Sequence, residues 1–152
     1  WYGRWGVNYI YGTSKVLQAA AALGLGANSS IGPHIERGAE WFMFIQNEDG
    51  GWGESCASYE AGSYQPLGVS TASQTAWALL GLIASRGLCR QVEKGVEYLS
   101  STQNADGSWS EKHFTGGGFP RAFYLKYELY KDYFPLMALA EYKKRIDRKQ
   151  QG

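Results

Sequence analysis

Side chains able to steady a positive charge crowd two stretches of this chain. Phe119, Phe123, Tyr127 and Tyr130 follow one another at intervals of 4, 4 and 3. Trp1, Tyr2, Trp5, Tyr9 and Tyr11 crowd the opening stretch. An aromatic face attracts a cation by about 0.5–2 kcal/mol, more when water is excluded. It offers neither a nucleophile nor a base to quench that cation, so a cavity lined this way suits carbocation chemistry on an apolar substrate. A bland reading competes with it. In a helix the 4, 4, 3 spacing falls on one face, and such a stripe ordinarily packs a core. Periodicity by itself favours the core.

Other chemistries find little support. There is no paired-carboxylate motif and no Gly-x-Ser-x-Gly elbow. Gly116-Gly117-Gly118 lacks the Lys-Ser/Thr partner of a phosphate loop. His34, His113, Cys56 and Cys89 never fall at metal-ligand spacing, so neither a metal nor another cofactor is expected. A net charge of +1 gives no electrostatic case for nucleic acid. The basic run Lys143 to Lys149 reads as a solvated helix end. Two cysteines are too few for a disulfide framework. No apolar run is long enough to span a bilayer. The opening Trp1-Tyr2-Gly3-Arg4-Trp5, without an initiator Met, reads as the interior of a longer protein.

The elements that would position these side chains are set by a repeat. Gln103-Asn104-Ala105-Asp106-Gly107-Ser108-Trp109 has a twin in Gln46-Asn47-Glu48-Asp49-Gly50-Gly51-Trp52, about 57 residues upstream. Ile35 to Phe42 lines up likewise with Val92 to Leu99. The repeats span 37–52 and 94–109. Each begins where a helix ends, so orphan carbonyls lie nearby. The expectation is a structural clasp: Gln46 and Gln103 donate to those carbonyls and lie against Trp52 and Trp109, with Asp-Gly turning the chain.

Helices are expected over 15–23, capped by Thr13 or Ser14; from Pro33 to about Ile45; over 74–84, capped by Ser70 or Thr71; over about 90–102; and over most of 123–142. Ala27 to Gly32 reads as a turn, 53–69 and 110–120 as loops, and 146–152 as a frayed tail. No strand of alternating pattern competes. The fold class is therefore all-α, with tandem helical hairpins forming an open solenoid or part of an α/α barrel.

At this point the chain resembles the C-terminal part of bacterial squalene–hopene cyclases, of the terpene cyclase/mutase family. The resemblance rests on the two Gln…Trp repeats and on further blocks. These are Gly3 to Thr13, Gly51-Trp52-Gly53-Glu54, Ser70 to Leu79, and Gly118-Phe119-Pro120…Phe123-Tyr124-Leu125…Tyr127…Tyr130…Phe134-Pro135…Ala138-Leu139. It covers nearly the whole chain. It implies that 1–152 is the C-terminal part of an α/α-barrel catalytic domain around a large apolar cavity. It also implies protonation of squalene, a carbocation cascade and release as hopene or hopanol. Family members are monotopic membrane proteins, commonly dimers, which implies the cytoplasmic side of a bacterial cell membrane.

Residue by residue, the resemblance implies that Phe119 and Phe123 steady intermediate cations. Trp5 would line the cavity, Tyr127 and Tyr130 would surround the early ring cations, and Tyr11 would hydrogen-bond near the acid. The family's proton donor, an Asp in an Asp-x-Asp-Asp motif, lies upstream of the matched region. Asp49, Asp106, Asp132 and Asp147 stand alone here, so no catalytic acid is assigned and these residues by themselves are expected to be inactive. The alternatives are a helical-repeat binding module without chemistry and, more distantly, a zinc-dependent prenyltransferase-like barrel.

Overall fold

A computed structural model describes residues 1–26 and 28–151. Ala27, in the expected turn, and Gly152, in the expected tail, lie outside the described residues. The elements run α1 (Tyr9–Ala22), α2 (Gly32–Phe44), α3 (Ala57–Ala61), α4 (Ala72–Arg86), α5 (Arg90–Thr102), β1 (Gly116–Phe119), β2 (Phe123–Leu125) and α6 (Tyr130–Gln151).

α4 organises the rest. Every residue from Ala72 to Ile83 is buried, as expected of a helix that is packed all round. Thr71 caps it by accepting from the Gln74 N–H. α1 and α6 flank it, and α2 and α5 pack on it from the other layer. This is the inner and outer layering of an α/α-barrel segment. Phe42, Leu79, Leu99, Trp52, Trp77 and Trp109 lie in one continuous core. A buried tryptophan removes roughly 150–250 Å² from water, about 4–6 kcal/mol at 25 cal/mol per Å².

The two repeats fold alike. Trp52 Nε1 donates to Phe42 O at 2.9 Å, and Trp109 Nε1 donates to Leu99 O at 2.8 Å. Each acceptor is among the last carbonyls of an outer helix, so the indole, rather than the glutamine amide, meets the helix end. The Gln46 amide donates instead to Gly50 O and Gln91 O, and Gln103 donates to Gly107 O. Gly50 and Gly107 have φ of +87° and +86°, which favours glycine at both turns. Each turn also grips the next inner helix. The Trp52 N–H donates to Thr75 Oγ1 of α4, and the Trp109 N–H donates to Asp132 Oδ1 of α6.

Several expectations need correction. α1 begins at Tyr9, ahead of the expected Thr13 or Ser14 cap. The 53–69 loop contains α3. The stripe Phe119–Phe123–Tyr127–Tyr130 is not a helical face, because β1 and β2 form an antiparallel hairpin there. Among the described residues the chain is thus helical with one two-stranded insertion. Ala122 N–H donates to Phe119 O across the turn, with Pro120 at the second position and Arg121 at the third, where φ is +71°. That is the pattern of a type II turn, with an arginine where glycine is usual. α6 starts at Tyr130, carries Pro135 inside its early turns, and continues to Gln151 where a frayed tail was expected.

Candidate functional site

The chain's two aromatic stretches meet edge to edge. Gly6 pairs with Gly116 as an isolated antiparallel bridge. Gly117 N–H donates to Trp5 O at 2.8 Å, and Val7 N–H donates to Thr115 O at 2.9 Å. Residues 5–7 therefore act as a third strand on the free edge of β1. Trp5 and Phe119 share a cation: the Arg4 guanidinium carbon lies 5.5 Å from the Trp5 ring centre and 5.7 Å from that of Phe119. Phe119 and Phe123 meet edge to face at 5.6 Å. These three rings are open, at 54%, 59% and 47% exposure for Trp5, Phe119 and Phe123.

A second group lies beside them. Tyr127 and Tyr130 rings are 4.6 Å apart, tilted by 32°. Tyr130 and Tyr11 both meet the buried Trp77 edge to face, at 5.8 and 5.0 Å. Phe134 joins the same indole at 5.4 Å. Gly116 links the groups, because a Cβ built there would lie 2.4 Å from Tyr127 Cδ2. Only a residue without a side chain lets the Tyr127 ring settle against the strand. Trp5, Phe119, Phe123, Tyr127, Tyr130 and Tyr11 are thus neighbours in one aromatic wall carried by residues 5–7, β1, β2, the link from β2 to α6, and the starts of α1 and α6.

The tyrosine hydroxyls of the wall stay uncharged. Burial pushes the Tyr130 hydroxyl up to about 12 and raises that of Tyr11, so both remain phenols that cannot trap a cation as phenolates. A second basic group besides Arg4 stands close: Lys15 Nζ is 5.4 Å from the Tyr11 ring and 5.3 Å from that of Phe134. Burial lowers its pKa. A cleft of about 380 Å³ between α1 and α2 is lined by Trp1, Tyr9, His34, Arg37, Trp41 and Tyr64, away from the wall. Among the described residues no three His, Cys, Asp or Glu side chains cluster as a metal site, and no helix is long and apolar enough to cross a membrane.

The family model of the squalene-hopene cyclase C-terminal domain matches residues 1–144. The chain belongs to this family. Among curated relatives of this domain, a squalene–hopene cyclase of Zymomonas mobilis is 51% identical over 150 residues, covering 94% of this chain and 22% of that protein. A dammaradiene synthase of Dryopteris crassirhizoma is 49% identical over 161 positions, covering 96% of this chain and 23% of its own length. A squalene–hopene cyclase of Alicyclobacillus acidocaldarius is 49% identical over 150 residues, covering 98% and 23%. The domain therefore spans under a quarter of the length of these relatives.

Two residues of this cyclase-family domain escaped sequence reasoning. Glu54 is 1% exposed and accepts the backbone N–H groups of Asn8, Tyr9 and Ile10 at 3.0, 3.1 and 2.8 Å. It satisfies the orphan donors at the start of α1. Glu111 accepts from the Ser73 N–H at the start of α4, and from the Ser73 and Thr115 hydroxyls. Each glutamate stands two positions after a repeat tryptophan. Carrying the repeat two residues further would have found both.

Proposed function

We propose that this chain is the C-terminal portion of a triterpene cyclase of the squalene–hopene type, and that its aromatic wall forms one side of the cyclisation cavity. The observation that carries the reading is the convergence of Trp5, Phe119, Phe123, Tyr127, Tyr130 and Tyr11 on one surface, with Arg4 held over two of the rings. Faces that hold a guanidinium attract a carbocation by the same quadrupole. Protonation of squalene at a terminal double bond would be done by an aspartic acid outside these residues. The cation then moves as successive rings close, and loss of a proton or capture of water ends the cascade. Phe119 and Phe123 steady intermediate cations, Tyr127 and Tyr130 surround the early ring cations, and Trp5 lines the cavity and contacts the substrate. Tyr11 hydrogen-bonds near the acid.

Gln46–Trp52 and Gln103–Trp109 serve as clasps that keep the inner helices fixed while the substrate folds. The natural ligand is squalene or a related apolar polyprenoid. The full-length protein sits as a homodimer on the cytoplasmic face of the cell membrane, without crossing it.

The test is product analysis by gas chromatography after incubating squalene with the detergent-solubilised full-length protein. Wild type yields fully cyclised pentacycles, and Phe123→Ala releases prematurely terminated, partly cyclised products. Unchanged full cyclisation by the variant removes that role from Phe123. An inert full-length wild type favours the binding-module reading.

A further inference from the structure

Tyr59, on α3, belongs to the span to which the sequence reading assigned no chemistry. It is 1% exposed. Its hydroxyl lies 2.8 Å from Gly3 O, 3.1 Å from Gly6 O and 3.3 Å from Arg4 O. One hydroxyl proton is thereby shared among three carbonyls of a tight curl, and Trp5 stands at the crest of that curl. Such a cluster of carbonyls needs a donor at its centre, since unpaired buried acceptors are costly. Burial raises the Tyr59 hydroxyl pKa far above neutrality, so it stays a donor.

The same residue reaches the hairpin. Its ring stacks on Tyr124 of β2 at 5.7 Å, and its carbonyl accepts from Arg121 Nε at 2.9 Å. Arg121 is the left-handed residue of the turn between Phe119 and Phe123. Where the curl ends, Glu54 takes over by holding the first N–H groups of α1. Gln74 of α4 ties this junction down, donating to Glu54 O and Val7 O and accepting from the Glu54 N–H.

We infer that Tyr59 and Glu54 are positioning residues of the cyclisation cavity. Tyr59 sets Trp5 against the Phe119–Phe123 hairpin, and Glu54 sets the turn of chain between Trp5 and Tyr11. This inference rests on the cyclase reading. Neither side chain touches the ligand; both act through the residues that do.

The test uses the full-length protein, squalene, and three variants: Tyr59→Phe, Glu54→Gln and Tyr98→Phe. Tyr59→Phe keeps the ring stack and removes only the donor. Tyr98→Phe is the matched control, because its hydroxyl donates to Ser70 O at 3.0 Å, away from the wall. Partly cyclised products should rise about tenfold as a fraction of turnover in Tyr59→Phe, with kcat falling more than KM changes. Glu54→Gln, which retains one acceptor oxygen, should give a smaller rise of the same kind. Tyr98→Phe should lower the melting temperature comparably and leave the product ratio at the wild-type value.

Wild-type product ratios in both Tyr59→Phe and Glu54→Gln overturn the inference and leave the cyclase reading standing. An equal shift in Tyr98→Phe also overturns it, by showing general loosening. If the wild-type protein leaves squalene unconverted, the cyclase reading itself falls, and the inference falls with it.

Discussion

The backbone carbonyl of Trp5 accepts a hydrogen bond from the N–H of Gly117 at 2.8 Å. Together with the Val7–Thr115 bond and the Gly6–Gly116 bridge, it joins residues far apart in the chain and brings two aromatic stretches into one surface. It also makes the surface sensitive to the backbone of β1, where close approach is possible only because the strand begins with three glycines.

Gly116→Ala should therefore disturb the aromatic wall without removing any aromatic ring. The added methyl meets Tyr127 Cδ2 and Cε2 at 2.4 and 2.5 Å, and the Leu125 carbonyl at 3.1 Å. The ring has to move by about 1 Å, and displacement of that size costs on the order of 10²-fold in rate. Steady-state turnover of squalene by the full-length variant checks this, and near-wild-type turnover would contradict it.

Tyr130 offers the converse case. Its contacts with Tyr127, Trp77 and Phe134 are ring contacts, and the attraction for cations resides in the ring. Tyr130→Phe should keep activity within about fivefold of wild type, whereas Tyr130→Leu should raise early-terminated products. Because burial pushes the hydroxyl up to about 12, ionisation of Tyr130 should contribute no loss of activity up to pH about 10. A pH–rate profile identical in shape for wild type and Tyr130→Phe is the expected result.

The two repeat glutamines should differ. Gln46 is half-buried and donates to both Gly50 O and Gln91 O. Gln103 is exposed and donates to Gly107 O within its own turn. Gln46→Ala should cost about 1–2 kcal/mol, and Gln103→Ala under about 0.5 kcal/mol. Urea unfolding of the full-length variants measures the ranking, and equal losses would remove the cross-link from the explanation.

Two carboxylates should respond to pH with opposite signs. Burial raises Glu54 above its ordinary value of 4.5, against the pull of the Ile10, Asn8 and Tyr9 N–H groups. The folded state then binds the proton more tightly than the unfolded chain, so this group's contribution is lost as pH rises through its folded pKa. Asp132 also feels burial pushing it up, but the Lys131 ammonium and the Trp109 N–H outweigh this and hold it below its ordinary 3.8. Its contribution is present above that value and is lost as pH falls through the folded pKa. Melting curves across pH 2–8, about the span of both titrations, check this. The gap between wild type and Glu54→Gln should move in favour of the variant with rising pH. The advantage of wild type over Asp132→Asn should shrink on acidification.

Much of the helical frame was legible in the residues. Thr71 and Pro33 announced α4 and α2, and the Ile35–Phe42 and Val92–Leu99 matches announced the paired outer helices. The start of α1 was not legible, because its cap is Glu54, a partner remote in sequence that no local motif reveals. The hairpin was missed for another reason. Three glycines show no alternation of polar and apolar side chains, while the 4, 4, 3 spacing of Phe119 to Tyr130 imitates a helix. Phe-Pro-Arg-Ala carried a turn signal in its proline, but Arg121 hid the left-handed position where glycine would have advertised it. The roles given to Trp5, Phe119 and Phe123 came from resemblance, since a ring in a cavity and a ring in a core are the same letter.

The two copies of the repeat share a Trp-x-Glu exit and a grip on the next inner helix, yet the chain between these fixed points differs. From Glu54 to Thr71 it carries α3, and from Glu111 to Leu129 it carries the β-hairpin. The frame behaves as a socket and the intervening segment as a cassette. Variation between such chains can therefore reshape the aromatic surface by exchanging cassettes while the socket stays unaltered, and a designer would graft there first.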